Sequence, residues 1–247
     1  MREIESTEAH CEKHGAYRRK KLLFMGKEIV VGCQQCTAEK NREQAQAVER
    51  ARRLEQRGYN IDQSNIPPRF QQKALADFTA QTADQRKALD IVTAYLKDWP
   101  QHKTRGEGLI FLGRPGTGKT HLACAIGMEL CNRGEYVLYQ KTADIMRRIK
   151  DTYSRNSKET ETGIYRQLLD YDLLIIDEVG RQVGSEAEKL MLFEIINGRY
   201  EHCKPIVLIS NGTFAELREY ITEAGFDRLK EIGKSVIFSG ESMRGRV

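Results

Sequence analysis

Hydrophobic and polar positions alternate at two different spacings along this chain, and the change of spacing divides it. From residue 108 onward short apolar runs alternate with stretches of helical period. GLIFLG (108–113) reads as a buried strand, and HLACAIGMELCNRG (121–134) carries helical apolar spacing closed by a glycine. The series continues as strand YVLYQ, helices TADIMRRIKDTY and IYRQLLDY, strand LLIIDE and helix EAEKLMLFEIINGRYEH. Strand PIVLIS, helices TFAELREYI and FDRLKEI, and strand SVIF complete it. Such alternation predicts an α/β fold, a parallel sheet with helices on both faces and a ligand at the carboxyl ends of the strands.

The earlier part has a different texture. TAEKNREQAQAVERARRLEQR (37–57) lacks proline and glycine and has few large apolar residues, so it predicts a charged, solvated helix ended by Gly58. NIDQSNIPPRF follows, where the double proline forces extended backbone, and residues 71–99 read as helix. The expected organisation is a small module over 1–36, a linker helix over 37–58 and a main domain over 59–247.

Composition narrows the classes. Forty per cent of the 247 residues are hydrophobic, enough for a packed interior, and the net charge is only +5. Residues 1–60 hold 13 Lys/Arg against 9 Asp/Glu, so the main domain is nearly neutral and any contact with DNA there needs a local patch. No apolar segment is long enough to span a bilayer, and MREIESTEAH has no apolar core of a signal peptide; the expected location is cytoplasmic. Of six cysteines, Cys124, Cys131 and Cys203 lie in apolar stretches and read as reduced core thiols.

Between the first strand and its helix stands Gly113-Arg114-Pro115-Gly116-Thr117-Gly118-Lys119-Thr120, followed by His121. It is the G-x-x-x-x-G-K-[ST] phosphate loop in its strand–loop–helix setting. Its backbone N–H groups and the helix start favour phosphate oxygens. Lys119 is expected at the β- and γ-phosphates of ATP and Thr120 at Mg²⁺, with Arg114, Pro115 and Thr117 shaping the loop. Fifty-seven residues after Thr120, a buried strand ends in Asp177 and Glu178. At that distance from a phosphate loop, Asp177 is expected to hold Mg²⁺ and Glu178 to polarise the attacking water, which makes hydrolysis the expected reaction. Asn211 closes the strand PIVLIS; it fits either a turn before Gly212 or a contact to the γ-phosphate. Arg228 and Arg244, taken singly, fit solvated arginines.

The first 36 residues hold Cys11-x-x-His14 and Cys33-x-x-Cys36, separated by the basic YRRKKLLF and a strand around KEIVVG. Two ligand pairs across a hairpin make a zinc ribbon layout, in a segment too short to have much core without Zn²⁺.

The IPPRF entry, GRPGTGKTHLACAIGMEL, TADIMRRIKDTY, LLIIDEVG, LISNG, FDRL and SMRGRV together resemble the AAA+ ATPases of the DnaC type, the bacterial and phage replicative helicase loaders, over roughly residues 60–247. The cysteine-bearing amino terminus resembles a prophage-type relative. The resemblance implies Asn211 as sensor 1, Arg244 as sensor 2 and Arg228 as an arginine finger acting on a neighbouring subunit, hence self-association into an open ring or spiral. Only nine residues follow the last expected strand, so an absent or minimal lid is expected, with Arg244 reaching the nucleotide from a short tail.

It also implies that the helix opening at Thr142 lines a path for single-stranded DNA, with Arg147, Arg148 and Lys150 tracking phosphates; read from the residues alone it is an ordinary amphipathic surface helix. Residues 1–58 are implied to engage the hexameric DnaB-type replicative helicase, although YRRKK could instead touch nucleic acid. The function this predicts is ATP-dependent loading of the replicative helicase onto single-stranded DNA. The alternatives are a transposition helper ATPase of the related clade and a zinc-dependent DNA-binding adaptor with structural nucleotide.

Overall fold

The first strand, β1 (Arg2–Cys11), pairs antiparallel with β2 (Gly15–Phe24), and β2 pairs with β3 (Lys27–Val31) in a three-stranded sheet ordered β1-β2-β3. The structure is a computed structural model that describes residues 2–180 and 184–242. Met25 and Gly26, both at positive φ (50° and 77°), form the two-residue turn from β2 to β3, as the right-handed twist of paired strands favours. Of these strands the hydropathy pattern predicted only the last. β1 and β2 carry charged residues on both faces, so no apolar period marks them.

Helix α1 runs from Gln34 to Gln63, beyond the predicted stop at Gly58. A glycine inside a helix costs only about 1 kcal/mol relative to alanine, and the next turn supplies more than that. Asn60 is buried and its side-chain amide donates to the Glu135 carbonyl at 3.2 Å, while Ile61 packs on the core. The chain divides into two compact units at Gln56/Arg57, and α1 runs across that division.

The predicted helix over 71–99 is several pieces. Short α2 (Pro68–Gln71) and a single 3₁₀ turn (Leu75–Asp77) precede α3 (Ala83–Lys97) and α4 (Trp99–Arg105). Thr82 and Gln85 form a reciprocal capping box that starts α3 afresh, and Pro100 sits in the first turn of α4, where its missing N–H costs nothing.

Next come β4 (Gly108–Gly113), α5 (Lys119–Asn132), β5 (Val137–Lys141), α6 (Thr142–Asp151), α7 (Glu161–Asp170) and β6 (Leu173–Val179). The unit ends with α8 (Glu186–Glu201), β7 (Ile206–Ser210), α9 (Phe214–Tyr220), α10 (Glu223–Ile232) and β8 (Gly233–Phe238). The five strands are parallel in the order β5-β6-β7-β4-β8, the doubly covered sheet that the alternation predicts.

Successive strand residues point to opposite faces, and both faces are apolar. Leu109, Phe111, Val137, Ile175, Val207 and Phe238 pack with α3 and α5, whereas Ile110, Leu112, Leu138, Leu174, Ile176 and Leu208 pack with α6 to α10. Arg199 of α8 is fully buried, its guanidinium donating to the carbonyls of Leu168 (2.6 Å) and Pro205 (2.7 Å); desolvation brings it down to about 9. Cys124 and Cys131 are core thiols as expected. Cys203 is exposed, because it occupies the α8–β7 turn at φ 49° rather than either element. None of the described helices is long and apolar enough to cross a membrane.

Candidate functional site: a phosphate loop, a strand-end carboxylate and a separate Cys/His cluster

The loop from β4 to α5 depends on its glycines. A Cβ at Gly113 (φ 140°) would run into the Phe238 carbonyl, and Gly118, the α5 N-cap at φ 101°, has the Phe78 ring where its Cβ would be. Gly116 (φ 84°) faces Ser242 in the same way, so the described tail after β8 comes back to the loop. Thr117, expected as a spacer, braces the turn: its hydroxyl donates to the Arg114 carbonyl at 2.8 Å, and Gln85 Nε2 donates to its carbonyl at 3.3 Å. Arg114 and Pro115 are exposed. Lys119, buried at the first position of α5, turns its ammonium into the loop and donates to the carbonyls of Gly113 (2.6 Å) and Arg114 (2.7 Å). A positive charge is thus held inside a ring of backbone at a helix N-terminus, the chemistry that receives phosphate.

Thr120 and Asp177, 57 residues apart in sequence, meet: Thr120 Oγ1 donates to Asp177 Oδ2 at 2.9 Å. Lys141 pairs with Asp177 and Tyr139 with Ile175 in the β5–β6 register, so all four lie on the sheet face that α5 covers. Two partners were missed from sequence. The Tyr139 phenol donates to Asp177 Oδ2 at 2.7 Å, and Thr142 Oγ1 donates to the Asp177 carbonyl at 3.0 Å. Only the period-2 placement of Tyr139 on the face of a strand could have suggested the first. Glu178 stands at φ 61°, where the β6–β7 pairing is irregular, with its amide donating to Asp177 Oδ1 (2.7 Å) and its carboxylate 3.7 Å from Lys141 Nζ. A non-glycine residue in this region is backbone strain at a strand end, a common mark of a working site.

Asn211 is exposed directly after β7, which lies between β4 and β6, so it shares the sheet edge with Gly113 and Asp177. Arg228 is elsewhere: its guanidinium lies 4.4 Å over the Tyr200 ring, near the start of β7 and at the other end of the sheet from the loop. Arg244 lies outside the described residues. The His121 ring meets Phe78 edge-on at 5.5 Å, and burial pushes its imidazole below the ordinary range. The three cations of α6 each face an acid: Arg147 meets Asp144 (2.9 Å), Arg148 meets Glu159 and Gln167, and Lys150 meets Glu188 (2.8 Å).

In the first unit, Cys11, His14, Cys33 and Cys36 bring one donor atom each to within 4.8 Å of all the others. Cys11 Sγ is 3.4 Å from Cys36 Sγ, and His14 Nδ1 is 3.2 Å from Cys36 Sγ and 3.7 Å from the other two sulfurs. The edges of a tetrahedron around Zn²⁺ with such ligands are roughly 3.5–3.8 Å, so the donor set fits that ion. The other ring nitrogen, Nε2, is 3.1 Å from Glu39 Oε1, and Glu39 is paired with Lys13 at 2.5 Å. That carboxylate fixes the tautomer that leaves Nδ1 free to ligate. The Lys13 amide, first, and the Cys36 thiol lower Cys11 to about 6, and the neighbouring thiols raise Cys36 to about 11.

Residues 38–247 match the family described as IstB-like ATP binding protein. The chain belongs to this family. The replicative helicase loader DnaC of Escherichia coli K12 is 35% identical over 203 residues, covering 81% of each chain. Among solved structures, the DnaC helicase loader superposes with a TM-score of 0.63 at 22% identity over 70% of this chain and all of that one. The replication initiator DnaA, solved with AMPPCP and single-stranded DNA, gives 0.61 at 25% identity over 72% of this chain and 52% of that one. The five-stranded core of this IstB-like chain is the AAA+ fold of those proteins. All four residues of the Cys/His cluster precede the matched stretch.

Proposed function

We propose that this protein is an ATPase that loads the replicative DNA helicase onto single-stranded DNA. The observation that carries the reading is the meeting of Thr120 and Asp177 beside the lysine-filled loop, in a chain 35% identical to a helicase loader. In this reading Gly113 to His121 surround the triphosphate, and Lys119 exchanges its two carbonyl partners for the β- and γ-phosphates. Thr120 and Asp177 hold Mg²⁺, which supplies charge neutralisation at the phosphates when bound. Glu178, turned out by its backbone, orients the attacking water, and Asn211 reaches the γ-phosphate from the neighbouring strand.

Arg228, remote from its own loop, serves the site of an adjacent copy, and Arg244 serves its own; an open ring or spiral follows from the first assignment. Zn²⁺ on Cys11, His14, Cys33 and Cys36 holds the amino-terminal unit in the form that grips the helicase. On α6 any DNA phosphate competes with Asp144, Glu159 and Glu188 for the cations, so Arg147, Arg148 and Lys150 each add little to affinity.

Hydrolysis by the wild type and by Glu178→Gln, each with single-stranded DNA and the host's replicative helicase, tests the proposal. Wild-type turnover that the variant loses, together with co-purification of the helicase, is the expected result. Absence of turnover in the wild type would sink the ATPase assignment, and absence of the complex would sink helicase loading.

A further inference from the structure

Asp177 is held by more than the loop threonine. Oδ2 accepts from both Thr120 Oγ1 (2.9 Å) and the Tyr139 phenol (2.7 Å), while Oδ1 accepts from the Glu178 amide (2.7 Å). All of this lies at the buried end of β6, where Asp177 is 5% exposed and Tyr139 equally so. Tyr139 is itself pinned along its length. Its amide donates to the Ser64 carbonyl at 2.7 Å on the outer edge of the sheet, and its residue pairs with Ile175 on the inner side. Its hydroxyl has one proton, and the Asp177 carboxylate it faces can only accept it.

A hydroxyl that coordinates a metal must offer a lone pair outward while its proton points elsewhere. Thr120 can do this only while Asp177 stays where it accepts that proton. Without Tyr139, Oδ2 would keep Thr120 as its one described donor, and the carboxylate could turn about its Cα–Cβ bond and take the threonine with it. The one proton of the phenol goes to Asp177. Resting on the ATPase reading above, we propose that Tyr139 is a positioning residue of the Mg²⁺–ATP site, fixing the Asp177 carboxylate so that it and Thr120 face the metal together.

The test is a Mg²⁺ titration of fluorescent ATP-analogue binding to the full chain, wild type against Tyr139→Phe, which deletes the oxygen alone. A hydrogen bond to a charged group is worth enough to raise the Mg²⁺ concentration at half-maximal binding about tenfold. Binding in EDTA is expected to stay unchanged, as is the circular dichroism spectrum. Tyr139→Leu, which also lacks a donor, carries the same prediction should the phenylalanine form not fold. A Mg²⁺ midpoint within about twofold of wild type, or an equal loss of binding with and without Mg²⁺, overturns the proposal. Unfolding of both variants overturns it too, since Tyr139 would then be a core residue only. Wild-type protein that binds no nucleotide at any Mg²⁺ concentration would instead bring down the ATPase reading on which the proposal rests.

Discussion

The two units of this chain solve the same problem by different means. In the second, residues 57 onward, both faces of a five-stranded sheet are buried beneath helices, and strand positions such as Ile175 and Leu208 are wholly enclosed. In the first, Cys33 is the one buried residue among those described, while Leu23, Phe24, Ile29 and Val30 on its sheet remain exposed. Apolar burial can account for the order of the larger unit and cannot account for that of the smaller. The second unit is held by its core, and the feature of the first that can supply what its core does not is the Cys/His cluster.

The largest expected effect comes from taking the metal ligands away. Chelation, or Cys36→Ser, should remove hydrogen-exchange protection from β1 to β3 while leaving the thermal transition of the second unit in place, since structural Zn²⁺ contributes about 10 kcal/mol or more to small domains. Persistent protection without bound zinc would erase the contrast. Ile175→Ala should cost the second unit about 3 kcal/mol in denaturant unfolding, whereas Val30→Ser in the first should cost less than about 0.5 kcal/mol. Equal costs would mean that the exposed sheet is covered in solution.

Lys119→Ala should weaken ATP binding by about 100-fold, read by calorimetry, with zinc content unaltered. A modest, pH-dependent effect belongs to Asp172. Desolvation pushes its carboxyl up, but the Tyr136 amide and the Lys103 ammonium outweigh it, and the net direction is down from 3.8. Stability from this group is therefore present above the ordinary carboxyl range and lost as pH falls through the lower folded value. Asp172→Asn should cost about 1 kcal/mol at pH 7 and progressively less below pH 4, measured by unfolding across that range.

Much of the second unit was legible because its signals are local. Five apolar runs marked β4 to β8, and GRPGTGKT with LLIIDE named both halves of the candidate site within a few residues each. What escaped had its cause at a distance or lacked a period. β1 and β2 show charge on both faces, α1 passes Gly58 because Asn60 finds Glu135 across the fold, and the run 71–99 breaks where Thr82 caps a new helix. Cys203 looked like a core thiol and is exposed, since its turn position was set by the ends of α8 and β7.

By itself the order of residues determined the kinds of element, the phosphate loop with its glycines and the donor types of the zinc-like cluster, because each depends on neighbours a few bonds away. Only the tertiary structure decided that β7 enters between β4 and β6, carrying Asn211 to the loop's edge of the sheet. Only it brought Tyr139 to Asp177 across 38 residues of chain, left Arg228 over Tyr200 and matched each α6 cation with an acid. Strand order and side-chain pairing follow from how whole layers pack, and packing is a property of all the elements at once.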